Sequence, residues 1–253
     1  MNKPNLKEFS NYLLTAGNSR EEVYTIMRNN GIDEIISKDL LKLPNNPNQV
    51  YIHFPKNLYN SHKIGDYRFH GYIMDNLLSH EECDKIIKDS QGRFAPSTIT
   101  TQDSEPDKYF RTSHTYNFDN TIFNNHIDNK ISNFMNIPNT YSELTQVQYY
   151  DIGNEFKAHT DYFIPNTNEW DIYAAEKGQR TWTVTVYLND VENGGTTDFV
   201  NIGLKVKPQK GRAVIWNNLY KTGEGNPDSR HTGTPVISGN KYIITKWYRD
   251  TKQ

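Results

Sequence analysis

The sequence predicts an α+β, mainly β fold: a double-stranded β-helix (jelly roll) core with supporting helices and a helical N-terminal extension. Three observations predict it. Helix-period patterns are confined to the residues before Met135, short β-like runs dominate beyond Gln146, and turn signals separate those runs. A few helices followed by many short strands is the pattern of a double-sheet jelly roll.

In chain order, residues 5–45 read as helical. Leu6, Phe9 and Leu13 recur at helical spacing, Gly17 stops the run, and Ser19-Arg-Glu-Glu22 is a capping box ahead of Val23, Ile26 and Met27. The stretch 43–48, rich in Pro and Asn, reads as a linker. The first 60 residues thus form an extension of unknown role, either packing or partner docking. Ser79 and Glu82 form a second capping box, and another helix is expected from Thr121 to Met135. Strands are expected at 147–152, 181–188, 203–206, 212–216, 235–237 and 242–248, with the clearest alternation in Thr181-Trp-Thr-Val-Thr-Val-Tyr-Leu188. Asn193-Gly-Gly195, Pro208-Gln-Lys-Gly211 and Ser238-Gly-Asn240 mark the turns. Two polar, poorly patterned stretches, 93–109 and 163–178, are read either as lids over a site or as long surface loops.

Composition narrows the class. Aromatic residues make up 13% of 253 residues, 17 of them Tyr, which suits a folded, ring-lined interior rather than disorder. A net charge of -2 gives no basic field for nucleic acid, and no apolar run approaches a membrane span. The single cysteine, Cys83, lies in a helix pattern as a buried small residue and suits a reducing compartment. With no signal peptide in Met1-Asn-Lys-Pro-Asn-Leu-Lys-Glu8, the cytoplasm is the expected location, and abundant asparagine suggests an AT-rich genome such as that of a virus acting in a host cell. Oligomeric state is not readable.

The chemistry is carried by His159-Thr-Asp161, His231 and Lys241. In a strand, residues i and i+2 share a face, so His159 and Asp161 would converge on one metal with Thr160 turned away, and His231 would join them from another strand. Two imidazoles and one carboxylate occupy three positions of an octahedral iron and leave three open. A structural zinc site would close its shell with four ligands, usually including cysteines. Lys241 supplies a cation for the far carboxylate of an iron-bound dicarboxylate co-substrate.

At these residues the chain resembles the prolyl 4-hydroxylase family of 2-oxoglutarate, Fe(II)-dependent dioxygenases. The resemblance covers roughly residues 68 to 250 and includes Arg111-Thr-Ser113, Gln146-Val-Gln-Tyr-Tyr150, Gly178-Gln-Arg180, Tyr187-Leu-Asn-Asp-Val-Glu-Asn-Gly-Gly195 and Thr245-Lys-Trp247. It implies that residues 61–253 form the dioxygenase domain, using Fe(II), 2-oxoglutarate and O2 with ascorbate as reductant. Oxidative decarboxylation of 2-oxoglutarate to succinate and CO2 would be coupled to hydroxylation of proline in a peptide or protein. It further implies metal ligation by His159, Asp161 and His231, and co-substrate binding by Lys241, Tyr150 and Thr197. Arg180 and Trp247 match the substrate side, the first holding a peptide carbonyl and the second forming a wall for the proline ring. Arg111, Ser113 and Glu143 match positions near the active site, as substrate contacts or as a polar network that shapes it. Two positions depart from the family pattern: Phe156 where tyrosine is common, and Arg249 where some relatives have histidine. Both bear on the substrate rather than the chemistry. The alternatives are a hydroxylase of a non-proline substrate and a non-catalytic metal-binding jelly roll.

Overall fold

The computed structural model describes residues 6–32, 34–41, 58, 60–66, 68–99, 109–220 and 223–253. The chain groups into two compact units: Met1–Ile52 with Leu219–Gly225, and His53–Asn218 with Asn226–Gln253. The linker expected at 43–48 lies outside the described residues.

In the first unit, helices α1 (Leu6–Thr15), α2 (Arg20–Asn29) and α3 (Glu34–Leu41) surround Val23, Met27 and Leu41, with Phe9, Leu13 and Leu14 packed against them. The capping box forms as expected: the Glu22 carboxylate accepts from the Ser19 N–H at 2.7 Å, and the Ser19 hydroxyl accepts from the Glu22 N–H.

The second unit is built on two antiparallel sheets. The larger runs β1 (His62–Ile64), β2 (Gly71–Met74), β11 (Ala213–Asn217), β7 (Arg180–Tyr187), β14 (Lys241–Arg249), β5 (Gln146–Tyr150), β4 (His114–Asn117), β3 (Ala95–Pro96). The smaller runs β10 (Leu204–Val206), β9 (Thr197–Phe199), β12 (His231–Gly233), β6 (Phe156–His159), and β8 (Asn193–Gly194) pairs separately with β13 (Val236–Ser238). Neighbouring strands are distant in sequence, as the jelly roll requires. Phe69, Tyr187, Phe199, Val214 and Trp216 fill the core with Tyr150 and Val236. The expected strands appear within two residues of their predicted ends, and β1, β2, β3, β4, β6, β8, β9 and β12 add to them. Each of these is four residues or shorter, too little chain for a period-2 pattern to register.

Strand β14 shows how alternation positions a site. Lys241, Ile243, Thr245 and Trp247 line a pocket on one face, while the intervening Ile244, Lys246 and Tyr248 are buried on the other. That second face meets α5 (Ile122–Met135), which starts on Thr121 and presents Ile127, Ile131 and Met135 at fourfold spacing. Burial of such side chains contributes roughly 1.5–3 kcal/mol each. Lys246 Nζ donates to Asp128 Oδ1 of α5 at 2.9 Å, and the Tyr248 and Ser132 hydroxyls bond at 2.9 Å. Helix α4 (His80–Ser90) begins on its capping box at Ser79 and buries Cys83, whose thiol is pushed up to about 11 by burial.

Stretch 163–178 differs from its reading as an unpatterned loop. It contains helix α6 (Asn168–Tyr173), capped by the Thr167 hydroxyl, and Gln179 bonds both main-chain groups of Phe163. The described part of 93–109 includes β3, and 100–108 lie outside the described residues. Among the described residues no helix is long and apolar enough to cross a membrane.

Candidate active site

His159 ends β6 and His231 begins β12, and the two are register partners across that pair. Their ring centroids are 4.4 Å apart. Asp161 is not on the strand: β6 stops at His159, and a bend brings the carboxylate round so that Oδ1 lies 3.7 Å from His159 Nε2. The bend also puts Thr160 on the wall of an outer cleft rather than turning it away. One ligand atom from each of His159, Asp161 and His231 lies within 4.8 Å of the others. Strand pairing thus brings His231 to His159 from far along the chain, and the bend adds Asp161.

Hydrogen bonds orient each donor. His159 Nδ1–H donates to the Lys157 carbonyl at 2.7 Å, and His231 Nδ1–H to the Ser229 carbonyl at 3.0 Å. A carbonyl only accepts, so each Nδ1 carries the proton and each Nε2 keeps a lone pair for a metal. Burial and the neighbouring His231 push the His159 imidazole down to about 3, so it is neutral at physiological pH. Burial works to raise the Asp161 carboxyl, but His231, His159, Arg180 and the Thr183 hydroxyl outweigh it and hold it below the usual carboxylate range. Thr183 donates to Asp161 Oδ2 at 2.6 Å and accepts from Asn218 Nδ2 at 2.8 Å, which leaves Oδ1 turned toward the histidines. The donor set, two imidazoles and one carboxylate, fits a divalent iron with open positions. Phe156, the departure from tyrosine, stacks on His159 at 3.6 Å and 19°, and so contributes a flat apolar support in place of a hydroxyl.

Behind the triad an inner pocket runs between the sheets to Lys241. Lys241 pairs in register with Tyr150 and is 2% exposed. Burial pushes its ammonium down to about 7, partly opposed by Asp198. Among the described residues it forms no ion pair; its ammonium lies over the Tyr150 and Tyr187 rings, 5.0 and 5.6 Å from their centroids. Gly195, at φ +63°, lets the chain pass beside it, since a Cβ there would stand 3.3 Å from Lys241 Cδ. Thr197 lines the same pocket and accepts from the Tyr187 hydroxyl at 2.6 Å, so its own O–H remains available to donate. Tyr150 instead donates to Gln148 Oε1 at 2.9 Å, with Arg111 and Ser113 beside the same hydroxyl.

In front of the triad an outer cleft is lined by Phe110, Arg111, Gln146, Ile164, Arg180 and Trp247, among others. Arg180 is stacked 4.2 Å over Trp247 and bonded along one edge to both oxygens of Glu143, at 2.5 and 2.8 Å. Arg249 bonds the same carboxylate. Burial favours the neutral Glu143 carboxyl, but Arg180 and Arg249 outweigh it and keep it ionised. Arg111 bonds Ser113 and Thr115 and lies 4.8 Å over the Phe156 ring. Most of the sequence-predicted residues therefore divide between the two spaces, with the triad at the junction, while Ser113 is buried behind Arg111 and lines neither. Glu143 holds Arg180 rather than opening onto the cleft itself.

Sequence reasoning missed Thr183, Gln148, Thr185 and Thr245, which line the inner pocket, and Asn218 behind Thr183. One signal was available for the threonines. Thr181, Thr183 and Thr185 alternate with apolar residues in a strand that is buried on both faces, so their side turns polar groups inward.

Comparison with known proteins agrees with this geometry. Residues 145–249 match the 2OG-Fe(II) oxygenase superfamily. Over 202 residues the chain is 33% identical to the Arabidopsis thaliana protein named Probable prolyl 4-hydroxylase 10, covering 70% of this chain and 68% of that one. It is 31% identical over 193 residues to the human prolyl 4-hydroxylase subunit alpha-1, spanning 74% of this chain and 34% of the subunit. Among solved structures, the viral collagen prolyl hydroxylase of Paramecium bursaria Chlorella virus-1 in its 2OG complex superposes with a TM-score of 0.56 at 26% identity, over 74% of this chain and 98% of that one.

Proposed function

The chain belongs to the prolyl 4-hydroxylase family of 2-oxoglutarate- and Fe(II)-dependent oxygenases, and on that basis we propose that it is a peptidyl-proline 4-hydroxylase. It couples oxidative decarboxylation of 2-oxoglutarate to succinate and CO2 with hydroxylation of proline in an exposed, extended segment. The observation that carries this reading is the triad's place between an inner pocket that ends in a buried cation and an outer cleft walled by Trp247.

Bound at this junction, iron and 2-oxoglutarate supply an oxidant strong enough for the unactivated C–H bond of proline. His159, Asp161 and His231 would hold the metal, their lone pairs aimed by Lys157, Ser229 and Thr183. Lys241 binds the far carboxylate of 2-oxoglutarate, a charge-assisted bond of about 1.5–3 kcal/mol. Thr197 donates its remaining O–H to the same group, and Tyr150 joins by turning its proton away from Gln148. In the outer cleft, Trp247 gives the proline ring a flat wall. Arg180, fixed along one edge by Glu143, offers Nη1, which makes no hydrogen bond among the described residues, to a peptide carbonyl. Arg111 and Ser113 shape the opposite side. An extended, polyproline II-like peptide suits a cleft of this kind because it is already stretched and exposes its carbonyls.

The test is turnover of an oligoproline and of a Pro-Pro-Gly repeat with Fe(II), 2-oxoglutarate and ascorbate, counting 4-hydroxyproline against succinate. Equal amounts are expected. Succinate formed with no hydroxyproline in either peptide would overturn the peptide reading.

A further inference from the structure

Arg249 is 5% exposed at the end of β14, yet none of its side-chain bonds serves the strand. Nε and Nη2 bond Glu143 Oε1 at 2.9 and 2.8 Å. On the opposite edge, Nη1 donates to the carbonyls of Tyr173, at 2.7 Å, and Gly178, at 2.5 Å. Those two carbonyls close α6 and the turn that follows it. The guanidinium also lies 5.2 Å over the Phe163 ring, which carries Arg180 at 5.0 Å and stacks on Tyr173. Gly178 permits this turn: its φ is +76°, and a Cβ there would strike Asp250 Oδ1 at 2.0 Å.

One side chain therefore joins three things: the segment 163–178 that walls the outer cleft, the carboxylate that clamps Arg180, and the end of the strand that carries Trp247. We propose that Arg249 is the positioning residue of the peptide cleft. It pins the wall and, through Glu143, sets the direction of Arg180, so that the 163–178 side is a preformed surface for peptide rather than a moving lid. The proposal rests on the peptide reading above. Only a planar, forked cation can do this, because it must bond a carboxylate on one edge and two carbonyls on the other. A lysine ammonium keeps the charge but has a single nitrogen.

The test compares Arg249→Met and Arg249→Lys with the unaltered protein. Four quantities are read: KM for oligoproline, KM for 2-oxoglutarate, peptide-free 2-oxoglutarate decarboxylation, and hydrogen exchange over 163–178 against β7. The proposal expects Arg249→Met to raise the peptide KM at least tenfold, with both 2-oxoglutarate measures within twofold. It also expects faster exchange in 163–178 and no change in β7. Arg249→Lys should recover little of the peptide KM. Full recovery by lysine, an unchanged peptide KM in Arg249→Met, or an equal rise in both KM values would each overturn it. If the unaltered protein consumed 2-oxoglutarate but oxidised no proline, the peptide reading would fall and the proposal with it. That failure is recognisable because it appears without any substitution.

Discussion

His159 and His231 each hand their Nδ1 proton to a main-chain carbonyl, so their metal-binding atoms are set by backbone that no side-chain change disturbs. His159→Ala removes one of three ligands and should abolish iron-dependent 2-oxoglutarate turnover while leaving the thermal midpoint within a few degrees. Full activity in that variant would refute the ligand assignment. Lys241 is more sensitive to conditions. Its ammonium is pushed down to about 7, so the empty pocket holds a cation below that pH and a neutral amine above it. A dicarboxylate needs the cation, and above about pH 7 its binding must bring a proton in with it. The KM for 2-oxoglutarate should therefore rise with pH from about 7 upward, approaching about tenfold per unit. Lys241→Arg, always charged, should flatten that rise, and a flat profile in the unaltered protein would count against this account of Lys241. Gln148 yields an opposite kind of prediction. It takes the Tyr150 proton at 2.9 Å, so Gln148→Leu should free that hydroxyl for the co-substrate. Exchanging a neutral partner for a charged one is worth about 1 kcal/mol, or roughly a fivefold lower KM. The gain should vanish when Tyr150→Phe is added, and a gain that survives would place the effect elsewhere.

At the scale of elements, β14 and α5 illustrate what could be read in advance. Val147, Ile244 and Tyr248 alternate with pocket residues along their strands, and that period-2 pattern placed both strands within two residues of their observed ends. Helices α2 and α4 were legible from their capping boxes, because Ser19 and Ser79 satisfy main-chain donors through local contacts that a sequence displays. The strand reading of Asp161 failed for the opposite reason. The bend after His159 is fixed by partners at Thr183 and Asn218, far along the chain, and no local pattern encodes them. Helix α6 was hidden because it spans only six residues, and its last carbonyl is held by Arg249, far along the chain. The union of β14 with α5 carries its own test. Lys246, with a side chain 1% exposed, has Asp128 as its carboxylate partner. Asp128→Ala should lower unfolding stability by about 3 kcal/mol, the lower end for breaking a buried pair, because Asp128 keeps 21% of its side chain exposed. Replacing both residues, as Lys246→Met with Asp128→Ala, should recover much of the loss. Chemical denaturation checks both, and a single variant as stable as the parent would show that the pair contributes nothing.

Over the whole molecule, the second unit places two unlike spaces on either side of one metal site, and the division follows from its topology. The triad comes from the small sheet and the bend after it, whereas Lys241, Tyr150 and Trp247 come from the large one. Motif reading reached the triad and Lys241 because chemistry restricts which residues serve there. It could not assign Glu143 its part, since the carboxylate acts by holding Arg180, a relation set by packing and not by spacing. On the proposed reading the two spaces serve one coupled reaction, with 2-oxoglutarate oxidised on one side and proline on the other. Turnover of oligoproline under oxygen-18 gas, with Fe(II), 2-oxoglutarate and ascorbate, tests this most directly by mass spectrometry of both products. One labelled oxygen atom is expected on proline C4 and one in succinate, in equal amounts. Labelled succinate beside unmodified proline, or no succinate from protein that holds its iron, would contradict it.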